Sequence, residues 1–148
     1  MIHTGKQTIL ALHHLNRAVK HRIESSEIKQ DIDHLTGTYG WVMVYLSEHE
    51  GEDVYQRVLE KEFGICRSGV SKIVADLEKK QLIERSKVAC DDRLKKIVLT
   101  ERGKALTQRI REDQERLETA LTRGFSQEEL NTVQQFLNRM QNNITTEN

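Results

Sequence analysis

The sequence predicts a mainly α-helical fold with one small β-hairpin, and three observations predict it. The 148 residues include no proline and only eight glycines, so long uninterrupted helices are allowed and a proline-rich linker is excluded. Apolar residues recur at helical spacing through most of the chain. Two short runs, Leu82–Ser86 and Leu94–Leu99, bracket a polar stretch, which is the pattern of two strands paired across a loop.

Composition bounds the rest. Charged residues make up 31% of the chain and aromatics 5%. That combination gives a thin core and much polar surface, and points to assembly with a second copy. No apolar run approaches the roughly 18–20 residues that span a bilayer. Met1–Lys6 lacks the basic-then-apolar layout of a secretory signal. A cytoplasmic protein is expected, with no membrane partner. Cys66 and Cys90 match no zinc-ligand spacing, and in a reducing compartment two free thiols are the default.

The elements follow in order. Thr8–Glu24 reads as a helix on the spacing of Ile9, Leu12, Leu15, Val19 and Ile23. Ser25–Leu35 is a polar connection. Thr38–His49 is a second helix, with Trp41, Val44 and Tyr45 available for burial, and His49–Asp53 is a turn around Gly51. Val54–Phe63 is a short helix closed by Gly64, which can take the left-handed conformation. Arg67–Lys80 is the next helix. Leu82–Ser86 and Leu94–Leu99 form the hairpin, with Lys87–Arg93 as its charged loop. Thr100 caps a helix running to about Arg123. Ser126–Glu129 is a capping box that starts the last helix, where Leu130, Val133, Leu137, Met140 and Ile144 trace a heptad seam. A helix packed on its own core has the same pattern, so the seam alone does not separate the two.

Arg67–Lys80 is the segment that carries chemistry. Val70, Ile73, Val74 and Leu77 form one apolar stripe, and Ser68, Ser71, Lys72, Ala75 and Lys79 occupy the other face. Small and hydroxyl side chains beside cations suit a helix entering a major groove. Taken alone, this is also the pattern of an ordinary amphipathic surface helix. The neighbourhood decides. A short helix, a tight glycine turn and then this helix is the helix-turn-helix order. A hairpin bearing Arg85, Lys87, Arg93, Lys95 and Lys96 follows, and a basic hairpin there can reach an adjacent minor groove. Charge agrees. Ile65–Lys104 holds 11 basic and 6 acidic residues, against 7 and 10 before it and 5 and 7 after it. A basic middle between acidic flanks is the pattern expected if the middle faces phosphates, although a solvated charged face gives it too.

Val54–Gly103 resembles the winged helix-turn-helix of the MarR family, the multiple-antibiotic-resistance type of bacterial regulators. The stretches that carry the resemblance are VLEKEFGICRSGVSKIVADLEKKQLIER and DDRLKKIVLTERG, with the Asp-x-Arg of Asp91 and Arg93 ahead of LTERG. The order of the outer helices also fits. The chain departs from the family at Glu60, where a small residue is usual, and at Gln81, where glycine is usual. It departs again near Tyr55, which stands close to a usual threonine or serine cap, and at Cys66, where a capping serine is common.

The resemblance implies a winged helix-turn-helix flanked by N- and C-terminal dimerisation helices. It divides as 1–35, an N-terminal dimerisation helix and connection; 36–104, the DNA-binding region; and 105–148, the C-terminal dimerisation helices. It implies a homodimer that binds double-stranded DNA at a pseudo-palindrome, usually as a repressor, and in many cases released by a small-molecule effector. Carried over by position, Arg67, Ser68, Ser71 and Lys72 meet the major groove and Arg93 the minor groove. Lys87 and Lys95 meet phosphates. On the residues themselves, Asp91 can fix the Arg93 guanidinium by a forked ion pair, although Asp91-Asp92-Arg93 is also the pattern of a solvated turn.

The competing classes are weaker. No Gly-rich phosphate loop, nucleophile elbow or His-Glu metal motif is present. His13 and His14 are neighbours that face different directions on a helix. No catalytic residue, metal or cofactor is therefore expected. A winged helix that binds protein instead of DNA is the second reading, and the serine–lysine face argues against it. A thiol-redox regulator is the third. Cys66 falls on the inward side of its wheel, as a small buried hydrophobe, and Cys90 sits beside Asp91 and Asp92, which raise a thiol pKa. For an effector, Arg17, Trp41 and Tyr45 can supply a cation and aromatic walls, although both aromatics also suit the core.

Overall fold

The computed structural model describes residues 4–25, 37–88 and 91–146. The elements are α1 (Thr4–Glu24), α2 (Gly37–Glu48), α3 (Gln56–Phe63), α4 (Arg67–Lys79), β1 (Ile83–Val88), β2 (Asp91–Leu99), α5 (Glu101–Leu121) and α6 (Gln127–Thr145). The described chain is mainly helical, and its two strands form one antiparallel hairpin, as the sequence predicts. It divides into two compact units, Met1–Gln114 and Glu115–Asn148, with the boundary inside α5. The connection expected at Ser25–Leu35 lies outside the described residues, Ser25 apart.

The first unit is built around α2, which buries Tyr39, Val42, Met43, Val44 and Leu46. A helix buried on most sides is the centre of its core, not its edge. Leu59 of α3 and Val70, Ile73, Val74 and Leu77 of α4 pack into the same cluster. Leu82, Ile83 and Ile97 of the hairpin region join it, as do Leu106 and Ile110 of α5. Truncating a fully buried leucine such as Leu59 or Leu77 to alanine costs about 2–5 kcal/mol in such a site. The Ile97 N–H donates to the Val54 carbonyl at 2.8 Å and ties the returning strand to the approach to α3.

Helix ends explain how the reading elements are oriented. α3 stops at Gly64, which holds φ at 60°, and the Ile65 N–H returns to the Glu60 carbonyl at 3.2 Å. α4 closes through two backbone bonds, Gln81 N–H to Glu78 O at 2.9 Å and Leu82 N–H to Leu77 O at 3.0 Å. This is the Schellman closure, which turns the chain through a left-handed residue. Here that residue is Gln81, at φ 58°. The Thr100 hydroxyl accepts from the Gly103 N–H at 3.0 Å and donates to the Gln81 carbonyl at 2.7 Å. It thereby caps α5 and fastens that helix to the end of α4. Gly103 makes this junction fit, since a Cβ there would lie 1.9 Å from the Leu82 carbonyl oxygen.

The hairpin corrects the sequence reading. Strands expected at Leu82–Ser86 and Leu94–Leu99 extend to Val88 and back from Asp91. Most of the expected loop is therefore strand. Pairing runs in step from Ile83↔Leu99 to Lys87↔Lys95 and then jumps to Val88↔Asp91. One step on β1 thus faces four on β2, and the excess, Asp92 to Leu94, forms a bulge. On the exposed part of a two-stranded ribbon, charged side chains replace the apolar alternation that marks a strand. The sequence pattern therefore ends before the strand does.

In the second unit α6 starts with the expected capping box. The Ser126 hydroxyl accepts from the Glu129 N–H, and the Glu129 carboxylate accepts from the Ser126 N–H at 2.7 Å. Gly124, at φ 85°, makes the preceding turn. None of the described residues of α6 is buried. Val133, Leu137, Met140 and Ile144 of the expected seam are exposed, as are Ile9, Leu12 and Leu15 of α1.

Candidate nucleic-acid interface

The stripe on α4 points inward as its spacing requires, and this fixes what points outward. Val70, Ile73, Val74 and Leu77 are buried, while Arg67, Ser68, Ser71, Lys72, Ala75 and Lys79 are exposed. The face is thus a row of small, hydroxyl and cationic groups on a helix whose back is locked into the core. Gln56, at the start of α3, donates to the Ser71 hydroxyl at 2.6 Å. The preceding helix therefore orients a side chain of the reading helix. The Lys72 ammonium sits 2.9 Å from Asp76 Oδ2, and the Tyr39 hydroxyl donates to the same oxygen at 2.6 Å. These bonds hold the Asp76 carboxyl below its ordinary range, the tyrosine first and the lysine second. They hold the Lys72 ammonium above its own, through Asp76.

The hairpin is clamped to α4. Arg85 of β1 meets Glu78 of α4 in a forked pair, Nη2 to Oε2 at 2.5 Å and Nε to Oε1 at 3.2 Å. Such two-point pairing fixes orientation as well as distance. It keeps the Glu78 carboxyl below its ordinary value. On the exposed side of the ribbon lie Lys87, Arg93 and Lys95, with Arg93 inside the bulge. Bulges twist a strand and re-aim a side chain, so Arg93 is carried by backbone geometry out of the ladder. The Asp91 side chain, expected to steer Arg93, lies outside the described residues, as does Cys90. Lys96 faces Asp53 at 3.5 Å, and Lys104 pairs with Glu50 and Glu101. Between the end of α4 and the start of α5, a cavity of about 410 Å³ is lined by Lys79, Lys80, Arg102 and Arg109 with Leu82 and Leu106. Among the described residues, no carboxylate lines it.

Two expectations are corrected. Cys66 is exposed, not buried. It is the residue before the first turn of α4, with extended backbone at φ −65° and ψ 157°, so a helical wheel does not apply to it. Its Sγ lies 3.2 Å from the Ser68 hydroxyl, which holds the thiol below its ordinary value. Trp41, read as available for burial, is 52% exposed. Tyr45 stacks on His49 at 3.9 Å and meets the edge of Phe63 at 5.8 Å. Arg17 is exposed. Neither the basic cavity nor the second, of about 600 Å³ beside Tyr55, Val58 and Leu94, is lined by Arg17, Trp41 or Tyr45. No group of three metal-ligating side chains occurs among the described residues. No helix among them is long and apolar enough to cross a membrane.

Spacing could have found one of the groups missed by sequence reasoning. Lys72 and Asp76 stand at i and i+4, the separation of helical ion pairs. Gln56 and Ser71, Tyr39 and Asp76, and Glu78 and Arg85 are brought together only by the fold.

A helix-turn-helix with an exposed serine–lysine face, a clamped basic wing and a core behind both defines the winged-helix class of DNA-binding regulators. Residues 35–94 match the model of the MarR family. The family is one of transcriptional regulators and not of enzymes. The fold is shared with MepR of S. aureus, solved in complex with DNA, at TM-score 0.76 and 23% identity over 95% of this chain and 96% of that one. The heme sensor PefR of Streptococcus agalactiae, solved with heme, matches at TM-score 0.69 and 22% identity over 99% and 97% of the two chains. The transcription regulator MarR of Oenococcus oeni matches at TM-score 0.69 and 27% identity over 92% and 96%.

Proposed function

We propose that this regulator acts as a homodimer in the cytoplasm and represses transcription from a pseudo-palindromic operator, each winged helix-turn-helix reading one half-site. The observation that carries the reading is the pairing of two outward-facing sets on one rigid frame. Ser68, Ser71, Lys72 and Arg67 project from α4, and Arg93 projects from the bulge of the hairpin that Glu78 and Arg85 clamp to that helix. In this reading the α4 set meets base edges and phosphates of the major groove. Arg93 enters the minor groove beside it, Lys87 and Lys95 meet phosphates, and Asp91 steers Arg93. Exposed apolar faces on α1 and α6 support the homodimer, because contiguous apolar patches on a surface mark sites of association.

A small-molecule effector that releases DNA is the remaining element. Trp41 and Tyr45 with Arg17 are the residues proposed for it, completed by the second copy, since the single chain leaves Trp41 half exposed. A redox variant of the switch is less well supported. Cys66 has the Ser68 hydroxyl and the Gly69 backbone amide beside its sulfur, with no second thiol among the described residues.

The test is duplex binding as a function of salt. The wild-type protein should select a pseudo-palindromic duplex from a randomised pool, with log affinity falling linearly in log salt as phosphates release counterions. Arg93→Ala should weaken binding to the selected duplex by about 1–3 kcal/mol while the dimer stays folded. Equal affinity of the two proteins would remove the wing assignment. Absence of salt-dependent binding would remove DNA recognition.

A further inference from the structure

We propose that Asp76 is a specificity-determining residue, which withholds Lys72 from backbone phosphates and reserves it for acceptors on the floor of the groove. The inference rests on the DNA-binding reading and deepens it. Lys72 lies one helical turn before Asp76 on α4 and is 73% exposed. The carboxylate oxygen that receives its ammonium, Oδ2, also accepts the Tyr39 hydroxyl at 2.6 Å. Tyr39 is a buried residue of α2, the central helix of the core. Asp76 is therefore not a drifting surface carboxylate. One of its two bonds runs to the scaffold and fixes where the charge stays.

That anchoring changes the exchange Lys72 makes on meeting DNA. An unanchored helical ion pair gives way at small cost, since such pairs are weak. Here, if the ammonium leaves for a phosphate, the carboxylate remains at the reading face, uncovered and close to a polyanion. The gain from one phosphate contact is reduced by that exposure. An ammonium, however, has three N–H donors. Lys72 can keep one on Asp76 and direct the others to guanine O6 and N7 in the major groove. A base-edge contact made with those two donors preserves the pair, whereas a phosphate contact that draws the ammonium away from Asp76 breaks it. Phosphates are present in every sequence and the acceptors of a given base are not. The arrangement lowers binding to arbitrary DNA more than binding to the cognate site.

Asp76→Asn tests this, because the amide oxygen can still accept from Tyr39 while the charge is gone. The probes are a random-sequence duplex and the tightest duplex that the wild-type protein recovers from a randomised pool. Each is titrated between about 50 and 200 mM salt. The variant should bind the random duplex about three- to tenfold more tightly, with a salt slope steeper by about one phosphate. Its affinity for the selected duplex should change much less, so the ratio of the two falls. In a Lys72→Ala background the change should vanish, as a double-mutant cycle requires when the effect acts through that lysine. Equal gains on both duplexes, an unchanged slope, or an effect that survives without Lys72 would overturn the proposal and leave DNA recognition standing. A wild-type protein without salt-dependent binding would instead remove the reading beneath it. Should Asp76→Asn fail to fold, Tyr39→Phe keeps the charge and removes the anchor. It should shift the ratio in the same direction by a smaller factor, and an unchanged ratio would again overturn the proposal.

Discussion

Gln81 carries a backbone conformation that its side chain opposes. At φ 58° an L-residue with a Cβ bears a cost of about 1–2 kcal/mol that glycine does not. The position is nevertheless imposed, because the Schellman closure of α4 needs a left-handed residue there and Leu82 must enter the core immediately after it. The Gln81 side chain is exposed, so removing it loses little packing. Glycine gives back part of the gain through its larger entropy when unfolded. Gln81→Gly should therefore raise stability by about 0.5–1 kcal/mol, read as a higher urea midpoint at unchanged slope. No change, or a loss, would show that this turn is not strained. The position is legible in sequence only as a departure: a glutamine where a glycine is usual. Cys66 shows the opposite case, in which the spacing places a side chain inward and the extended backbone before the helix turns it out.

At the scale of elements, α4 and the wing share the buried cluster of Leu77, Ile83 and Ile97 and are joined at the surface by one forked ion pair. Glu78 and Arg85 are each about two-fifths exposed, so solvent screens the pair and its worth is at most about 1 kcal/mol. Its pH dependence has a definite sign. Glu78 has a folded-state pKa below its ordinary 4.5. Its contribution is thus complete above that unfolded value and disappears as pH falls through the lower folded one. Glu78→Gln should lower the thermal midpoint at neutral pH, and the gap to wild type should close as pH drops below about 4.5. A gap that persists in acid would mean that the loss is one of packing and not of charge. How far such elements could be read in advance follows from what positions them. The α4 stripe, the Gly64 turn, the Thr100 cap and the Ser126 capping box depend on residues within a few positions of each other, and all were legible. The bulge depends on register across the hairpin, and the forked pair on the angle at which β1 leaves α4. Neither is encoded in any local spacing.

For the whole molecule, the question is what covers the apolar faces of α1 and α6. Ile9 is 74% exposed and Ile144 75%. Leu12 and Leu15 lie with the first, and Val133, Leu137 and Met140 with the second. Side chains at these helical spacings form stripes, and stripes of leucine, valine and methionine in water mark an interface. Because the unpartnered stripes lie at both ends of the sequence, a second copy is the occupant that needs no other protein. The proposed homodimer would by symmetry read a pseudo-palindromic site, with half-sites about one helical turn of DNA apart. The expected solution mass at micromolar concentration is twice the 17.2 kDa of the chain. Leu137→Glu, which places a carboxylate in the α6 seam, should shift the protein toward the single-chain mass in sedimentation equilibrium. It should also abolish tight binding to a two-half-site duplex, while weak binding to one half-site remains because the residues of α4 and the wing are untouched. A wild-type protein that sediments as a single chain would sink the homodimer. A Leu137→Glu protein that stays dimeric would move the interface away from the α6 seam.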